Sequence, residues 1–481
     1  MISVLMAAAE VAPFVKTGGL GDVLGALPAE LVKKGVDVRV IMPKYKSIPS
    51  QYTDEMNFLG YIYVYLGWRK QYCGIYELSH KGYKVYFLDN EYYFGGDRIY
   101  YSENIDVERF AFFSMAVLSV LPHIDFMPDI IHCHDWHSAL IPVSCNAHFK
   151  RMQFYSGIKF VMTIHNIKFQ GICSRAFLYD LMGLNDGYNA APHLYYYDIA
   201  NCLKGGLSIS DAITTVSESY AREILYPFFA EGLEGVLNIK AHCIRGILNG
   251  IDYSEYDPKT DPHIMTNYDS TNFRNKKRIN KDGLQQHLGI ERSASRPLIA
   301  IISRLTTQKG MDLITHVFDE LINTTDVQFV ILGTGEWSYE QFFIEREMNY
   351  SGRVSSNIFF DEELARKIYA GSDFFLMPSL FEPCGLSQMI AMRYGTVPIV
   401  REIGGLKDTV IPFDKSPKCG TGFSFEAYNA HEMLFTIKRA IEVYRDPSVH
   451  DGIVERAMKT DFSWEVSVLK YMDLYKSLAQ T

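Results

Sequence analysis

The chain has 481 residues, 48% hydrophobic and 21% charged, a mixture that excludes long disorder and, at roughly 100–200 residues per domain, supplies two large cores. A formal net charge of −9 disfavours nucleic acid, so any phosphate site must be a local focus of cations in an acidic molecule. No apolar run approaches the ~20 residues that span a bilayer, the stretch MISVLMAAAEVAP lacks a basic leader and breaks at Glu10 and Pro13, and the eight cysteines form no CxxC pair; a soluble, cytoplasmic protein with free thiols and no membrane partner is expected.

In chain order, ISVLMAAA reads as a first strand. It leads into KTGGLGDVLGALP, a glycine-rich loop that enters a helix around 21–34. Glycines at Gly18, Gly19 and Gly21 let backbone amides approach an anion, the helix N-terminus adds partial positive charge, and Lys16 adds a full one. The other reading is an ordinary strand-to-helix turn whose glycines only satisfy positive φ. Strand-like runs VDVRVIM, YKVYFLD, DIIHCH, KFVMTIH and AITTVS follow. The rhythm restarts at PLIAIISRL, with the helix MDLITHVFDEL and the runs VQFVILGTG, NIFFDE, FFLMPS, TVPIVRE and GTGFSF. This alternation predicts an α/β protein of two Rossmann-like, doubly wound domains. The segment LNGIDYSEYDPKTDP, rich in turn signals, places the boundary at about 252. The expected domains are therefore 1–252 and 253–460, with 461–481 a terminal helix that packs back on the first.

Ligands of open α/β sheets bind beyond the carboxyl ends of strands, so the segments there carry the candidate chemistry. Arg304 and Lys309 flank a turn that follows LIAIIS and opens a helix at about Gly310; a planar fork and a mobile point charge together suit a departing diphosphate. Glu382 lies between a strand ending near Met377 and a helix starting near Gly385. There it either binds ligand hydroxyls and stabilises cationic character at a reacting carbon, or complements the helix dipole. Cys384 reads as a packing residue in preference to a nucleophile, since no base accompanies it.

His132, Cys133, His134, Asp135 and His137 resemble metal ligands, but alternation on a strand turns Cys133 away from the two flanking histidines and no second cluster has structural-zinc spacing. No metal is expected. Asp135 instead marks a strand end, where it can bind sugar hydroxyls or orient an acceptor. His165 and Asn166 follow KFVMTI directly, as structural or functional residues. Tyr195, Tyr196 and Tyr197 are either sugar-stacking platforms or core and rim residues.

Taken together, KTGGLGDVLGALP, HDWHSAL, TIHN, LKGGLSISDAITTVS, GILNGID, SRLTTQKG, FEPCGLSQMIAMRYGTVPIV and GGLKDTV resemble, in this order and over most of the chain, the bacterial glycogen synthases and plant starch synthases. The resemblance implies a glycosyltransferase B-type fold, two Rossmann-like domains facing across a deep cleft. It implies retaining transfer of glucose from ADP-glucose to the non-reducing 4-hydroxyl of an α-1,4-glucan such as glycogen, with UDP-glucose the alternative donor and no cofactor or metal. By motif, Lys16, Thr17, Gly18 and Gly19 correspond to the loop at the donor diphosphate and acceptor cleft. Arg304 and Lys309 correspond to the phosphate-neutralising pair, and Glu382, with Pro383, Cys384, Gly385 and Leu386 after it, to the carboxylate motif beside the donor glucose. His165 and Asn166 match the sugar-binding turn, Asp135 the acceptor-side aspartate, and Asn249 a position near the donor. The resemblance makes Glu382, Asp135, His165, Arg304 and Lys309 the catalytic candidates. Leu380, Arg366 and Ile403 depart from the family's usual arginine, histidine and threonine.

Four rivals compete. Gly19, Gly21 and Gly25 spell G-x-G-x-x-x-G, as a dinucleotide-dependent dehydrogenase would, but a loop of about ten residues separates them from the first strand and VDVRVIM ends in Pro43 and Lys44 instead of a ribose-binding acid. A catalytically silent glucan-binding paralogue would have no reason to keep Lys16, Arg304, Lys309 and Glu382 together. A glucan phosphorylase or a sugar-nucleotide epimerase would keep the fold and change the reaction. The sequence leaves acceptor length, allosteric control and oligomeric state open.

Overall fold

A computed structural model describes residues 1–184, 194–196 and 199–480. The chain folds into two compact units. One comprises Met1–Gly250 and the tail from Trp464, the other Ile251–Ser463.

The first unit is built on a nine-stranded sheet. Its strands are β1 (Ser3–Ala7), β2 (Asp37–Pro43), β3 (Asn57–Leu66), β4 (Arg69–His80), β5 (Tyr83–Asp89), β6 (Ile130–His134) and β7 (Lys159–Ile164). After a small sheet of β8 (Ile172–Ser174), β9 (Tyr195–Tyr196) and β10 (Ile199–Asn201) come β11 (Ala212–Thr215) and β12 (Ile244–Gly246). The large sheet runs β12-β11-β7-β6-β1-β2-β5-β4-β3. All pairs are parallel up to β5, and β4 and β3 add an antiparallel hairpin. In β1 and β6 the runs VLMA and IIHCH are wholly buried, as parallel strands covered on both faces must be.

Helix Gly19–Lys33 buries Leu20, Val23, Leu24, Leu27 and Leu31, one stripe at helical spacing. It packs against the terminal helix Trp464–Ala479. That helix buries Trp464, Val468, Tyr471 and Tyr475, and the Tyr475 hydroxyl lies 2.7 Å from His132 Nδ1.

The second unit holds six parallel strands: β13 (Leu298–Ile302), β14 (Gln328–Leu332), β15 (Val354–Asn357), β16 (Phe374–Met377), β17 (Val397–Arg401) and β18 (Phe423–Phe425). Their spatial order is β15-β14-β13-β16-β17-β18. Counted within the unit this is 3-2-1-4-5-6, the doubly wound order, whose direction reverses between β13 and β16. In the first unit the parallel strands reverse likewise between β1 and β6. Each unit therefore has one topological switch point, where its connections diverge and a ligand is expected.

Two expectations need correction. NIFFDE is not a strand: β15 ends at Asn357, Phe359 and Phe360 are exposed, and Asp361 caps the next helix by accepting from the Leu364 amide. Two adjacent phenylalanines imitate a buried run but have no neighbouring strand. The β3–β4 hairpin, absent from the predicted strands, is the longest pair in the molecule, and its alternation of exposed and buried residues in GYIYVYL is a period-two signal.

Candidate active site

The Lys16 loop and Asp135 follow β1 and β6, and so flank the first unit's switch point. Arg304 with Lys309 and Glu382 follow β13 and β16, and flank the second. In both units the loop after the first strand is basic and the loop after the fourth parallel strand, β6 or β16, carries a carboxylate.

In the second unit, Gly310 turns the chain into helix Met311–Thr324. Its φ of 77°, and the 2.3 Å that would separate an added Cβ from the Pro378 carbonyl oxygen, leave room for glycine alone. This close approach brings the β13 loop onto the β16 loop, where the Leu380 amide donates to the Gln308 carbonyl at 2.9 Å. Lys309 Nζ then reaches Glu382 Oε2 at 2.6 Å, and Ser379 Oγ donates to the same oxygen at 3.1 Å. Glu382 is buried, so the ion pair works at a lower effective dielectric than a surface pair and fixes both side chains. Arg304 is exposed, with no carboxylate partner among the described residues. Cys384 is buried and Gly385 adopts φ 73°; Pro383 is buried and Leu386 partly so. The helix after them is Ser387–Arg393, two residues later than expected.

The three departing positions have local roles. The Leu380 amide makes the contact to Gln308. Arg366 lies 4.6 Å over the Tyr256 ring and donates to the Glu255 carbonyl. Ile403 is buried.

In the first unit Lys16 pairs with Asp22 at 2.7 Å. The amides of the loop do not all face outward. Buried Glu10 accepts from the Thr17 amide at 2.5 Å, the Thr17 hydroxyl at 2.7 Å and the Gly18 amide at 3.3 Å. A carboxylate of the protein thus already occupies the Gly18 amide, one of the donors that the sequence reading offers to a ligand, together with the Thr17 amide beside it. Glu10 was legible only as the polar residue that ends the apolar run, and nothing in its spacing marks it as the loop's anchor. It also accepts from the Tyr100 hydroxyl at 2.5 Å, and Tyr100 stacks on His137 with ring centroids 4.9 Å apart. Gly25 is a packing glycine, since an added Cβ would sit 2.9 Å from Ala12.

Asp135 is buried at φ 56° and ψ −178°, a backbone region close to exclusive to glycine. Its Oδ1 accepts from the amides of His165 at 2.7 Å and Asn166 at 3.4 Å. The ends of β6 and β7 are thereby tied together, and His134 Nδ1 lies 3.0 Å from His165 Nε2. Burial raises the Asp135 carboxyl to about 7, against the lowering effect of the two amides. Asn249 is buried and its Oδ1 has no hydrogen-bond partner among the described residues, which leaves an acceptor for a ligand hydroxyl. Tyr195 is buried under Arg175, 4.5 Å over its ring; the Tyr196 side chain and Tyr197 lie outside the described residues.

The histidines of HCHDWH are held as neutral rings. His132 Nε2 meets Thr163 Oγ1 at 2.5 Å, and burial lowers His132 and His137 to about 3 and His134 well below its ordinary value. Among the described residues no three His, Cys, Asp or Glu side chains converge as metal ligands do.

A histidine whose folded-state pKa is depressed stabilises the fold above its unfolded pKa of about 6.5 and loses that contribution as pH falls toward the folded value. With His165, which burial also lowers to about 3, four such residues give the first unit a slope of up to about 1.4 kcal/mol per pH unit for each proton. Asp135, with a raised pKa, acts oppositely: its contribution is complete below about pH 4 and is lost as pH rises through about 7. The histidines outnumber it, so the melting temperature of the first unit is expected to fall by several degrees between pH 6.5 and 5. Calorimetry across that range checks this, and a flat profile would refute the buried-neutral assignment.

The comparisons with known proteins agree with this architecture. The glycosyl transferases group 1 family matches residues 287–457. Sucrose-phosphate synthase from Thermosynechococcus elongatus superimposes with a TM-score of 0.63 at 17% identity over 99% of both chains, a likeness of fold. The protein is a two-domain glycosyltransferase of the B-type fold. The starch synthase catalytic domain family matches residues 3–239. The glycogen synthase of Lachnospira eligens is 51% identical over 99% of this chain and 100% of its own, and that of Anoxybacillus flavithermus 51% identical over 99% and 98%. The catalytic domain of starch synthase IV from Arabidopsis thaliana, bound to ADP and acarbose, superimposes with a TM-score of 0.91 at 33% identity over 100% of this chain and 99% of that one. The chain belongs to the glycogen synthase family and is a hexosyltransferase.

Proposed function

We propose that the protein elongates an α-1,4-glucan by retaining transfer of glucose from ADP-glucose. The observation that carries this reading is the Lys309–Glu382 pair, 2.6 Å apart at the second unit's switch point with Arg304 in the same loop. The bond between the anomeric carbon and the phosphate oxygen breaks with its electrons passing to ADP. The acceptor 4-hydroxyl bonds to that carbon on the face the phosphate leaves, and its proton passes to the departing phosphate oxygen on that face.

On this reading Arg304 and Lys309 neutralise the leaving diphosphate, each worth about 2–4 kcal/mol of barrier in a water-excluded site. Glu382, held by Lys309 and Ser379, faces the positive charge that develops on the sugar. Pro383, Cys384, Gly385 and Leu386 shape the donor-sugar wall with their backbone, and Asn249 lends its amide oxygen. In the first unit, Asp135 with His165 and Asn166 orients the acceptor sugar, and Lys16 with Thr17, Gly18 and Gly19 forms the loop that meets substrate. The donor assignment is supported by the ADP bound to the similar starch synthase IV domain. A cytoplasmic enzyme needing no metal or cofactor completes the proposal, since side-chain cations supply the charge a divalent ion would otherwise bring.

The test offers purified protein labelled ADP-glucose or UDP-glucose with glycogen. Incorporation into polymer from ADP-glucose, with product digestible as α-1,4-glucan, is expected. Preference for UDP-glucose would overturn the donor assignment, and no incorporation from either the reaction itself.

A further inference from the structure

The β3–β4 hairpin carries a surface that the transfer reaction does not use. Along β3 the side chains alternate: Val64 and Leu66 are buried, whereas Tyr61, Tyr63 and Tyr65 are 59%, 50% and 59% exposed. In register across from them, Tyr72 faces Tyr63 and Lys70 faces Tyr65. Tyr61 and Tyr72 lie at a 30° interplanar angle with centroids 5.6 Å apart, and Tyr61 meets Tyr63 edge to face at 5.9 Å. Gly74 stands opposite Tyr61, and an added Cβ there would come 2.7 Å from the Tyr72 hydroxyl. A missing side chain is what lets the Tyr72 ring lean across the strand.

This face has an unusual charge. The molecule carries a formal net charge of −9, but the carboxylate that borders this face, Asp89 beside Gly74, is paired with Lys44 at 3.3 Å, which leaves the outward row of Tyr61, Tyr63, Tyr65, Lys70 and Tyr72 without net negative charge. Its one cation, Lys70, lies 4.2 Å over the Tyr63 ring. Beyond the irregularity at Phe58–Gly60, where Leu59 is exposed, Val64, Leu66 and Ile75 are buried, and each outward tyrosine ring combines an apolar face with a hydroxyl at its rim. An uncharged ligand with C–H faces and rim hydroxyls matches that pattern, as a pyranose does. Four residues of strand, roughly 13 Å, separate Tyr61 from Tyr65, enough for a short run of sugars. The register irregularity between Phe58 and Gly60 interrupts the edge ladder, which disfavours strand addition by a second copy.

We propose that the outward face of the β3–β4 hairpin is a second carbohydrate-binding surface, on which a stretch of the α-glucan polymer lies across Tyr61, Tyr63, Tyr65 and Tyr72. The proposal rests on the reading of an α-glucan as acceptor. It raises the local concentration of chain ends without taking part in transfer.

The experiment compares the full-length protein with the triple variant Tyr61→Ser, Tyr63→Ser, Tyr65→Ser, its fold checked by circular dichroism, in affinity electrophoresis through glycogen and in kinetics with glycogen and with maltotriose. The variant is expected to lose about tenfold in apparent affinity for glycogen and to show a matching rise in KM for glycogen, with kcat and KM for maltotriose unchanged. Equal glycogen retention in variant and parent, with the parent active on both acceptors, overturns the surface and leaves the function intact. A parent that neither binds nor elongates glucan overturns the function and the surface with it. Sedimentation showing a dimer that the variant abolishes, with glycogen retention unchanged, overturns the surface in favour of self-association. Should the triple variant misfold, the single Tyr63→Ser variant carries the same comparison.

Discussion

Replacing Glu382 by glutamine is expected to lower kcat by about 100- to 1,000-fold while the protein stays folded. Glutamine keeps the volume and an oxygen that can accept from Lys309 Nζ and Ser379 Oγ, the two groups that hold the carboxylate at 2.6 and 3.1 Å. What it removes is the negative charge. A part-buried lysine left without its counter-ion is destabilising, although Lys309 retains 17% side-chain exposure and therefore some hydration, so a loss of about 1–3 kcal/mol in the second unit is expected. Loss of rate should exceed anything that this destabilisation explains at assay temperature. Steady-state kinetics with ADP-glucose and glycogen, beside thermal unfolding, separates the two effects. A folded Glu382→Gln enzyme with parental kcat would remove the carboxylate from the reaction.

Lys309→Ala is expected to reduce kcat at least about tenfold through loss of charge at the leaving diphosphate. It has a second consequence, because it leaves the buried Glu382 carboxylate without its cation. If both residues act on one developing charge pair, the double variant Lys309→Ala, Glu382→Gln should be little worse than the poorer single variant, since residues that act as a unit are not additive. Additive losses in the double variant would mean that the 2.6 Å contact is incidental to turnover. Arg304, exposed and held by no carboxylate among the described residues, should instead show a simple loss on Arg304→Ala that Lys at the same position partly restores.

Much of this was legible in the sequence because parallel strands announce themselves. VLMA, IIHCH, LIAII and FFLM are short apolar runs bounded by turn residues, and in each case the chemistry-bearing residues stand beyond the run. Local periodicity also gave helix Gly19–Lys33 and the terminal helix. NIFFDE shows the limit of that reading: apolarity alone does not say whether a neighbouring strand exists. The tyrosine hairpin shows the converse, since its period-two alternation was present but lay outside the predicted parallel series. Glu10 was the least legible of all. A carboxylate that clamps the Thr17 and Gly18 amides is defined by a loop returning on its own strand, and no spacing encodes that.

By itself, the sequence determined which residues end strands and which of those carry charge, because burial forces apolar runs and leaves polar groups at their ends. Only the tertiary structure decided which ends become neighbours. Strand order is set by long-range pairing, so β13 lies beside β16 although they are far apart in the chain. The absence of a Cβ at Gly310 then allows the two loops to touch, and Lys309 finds Glu382.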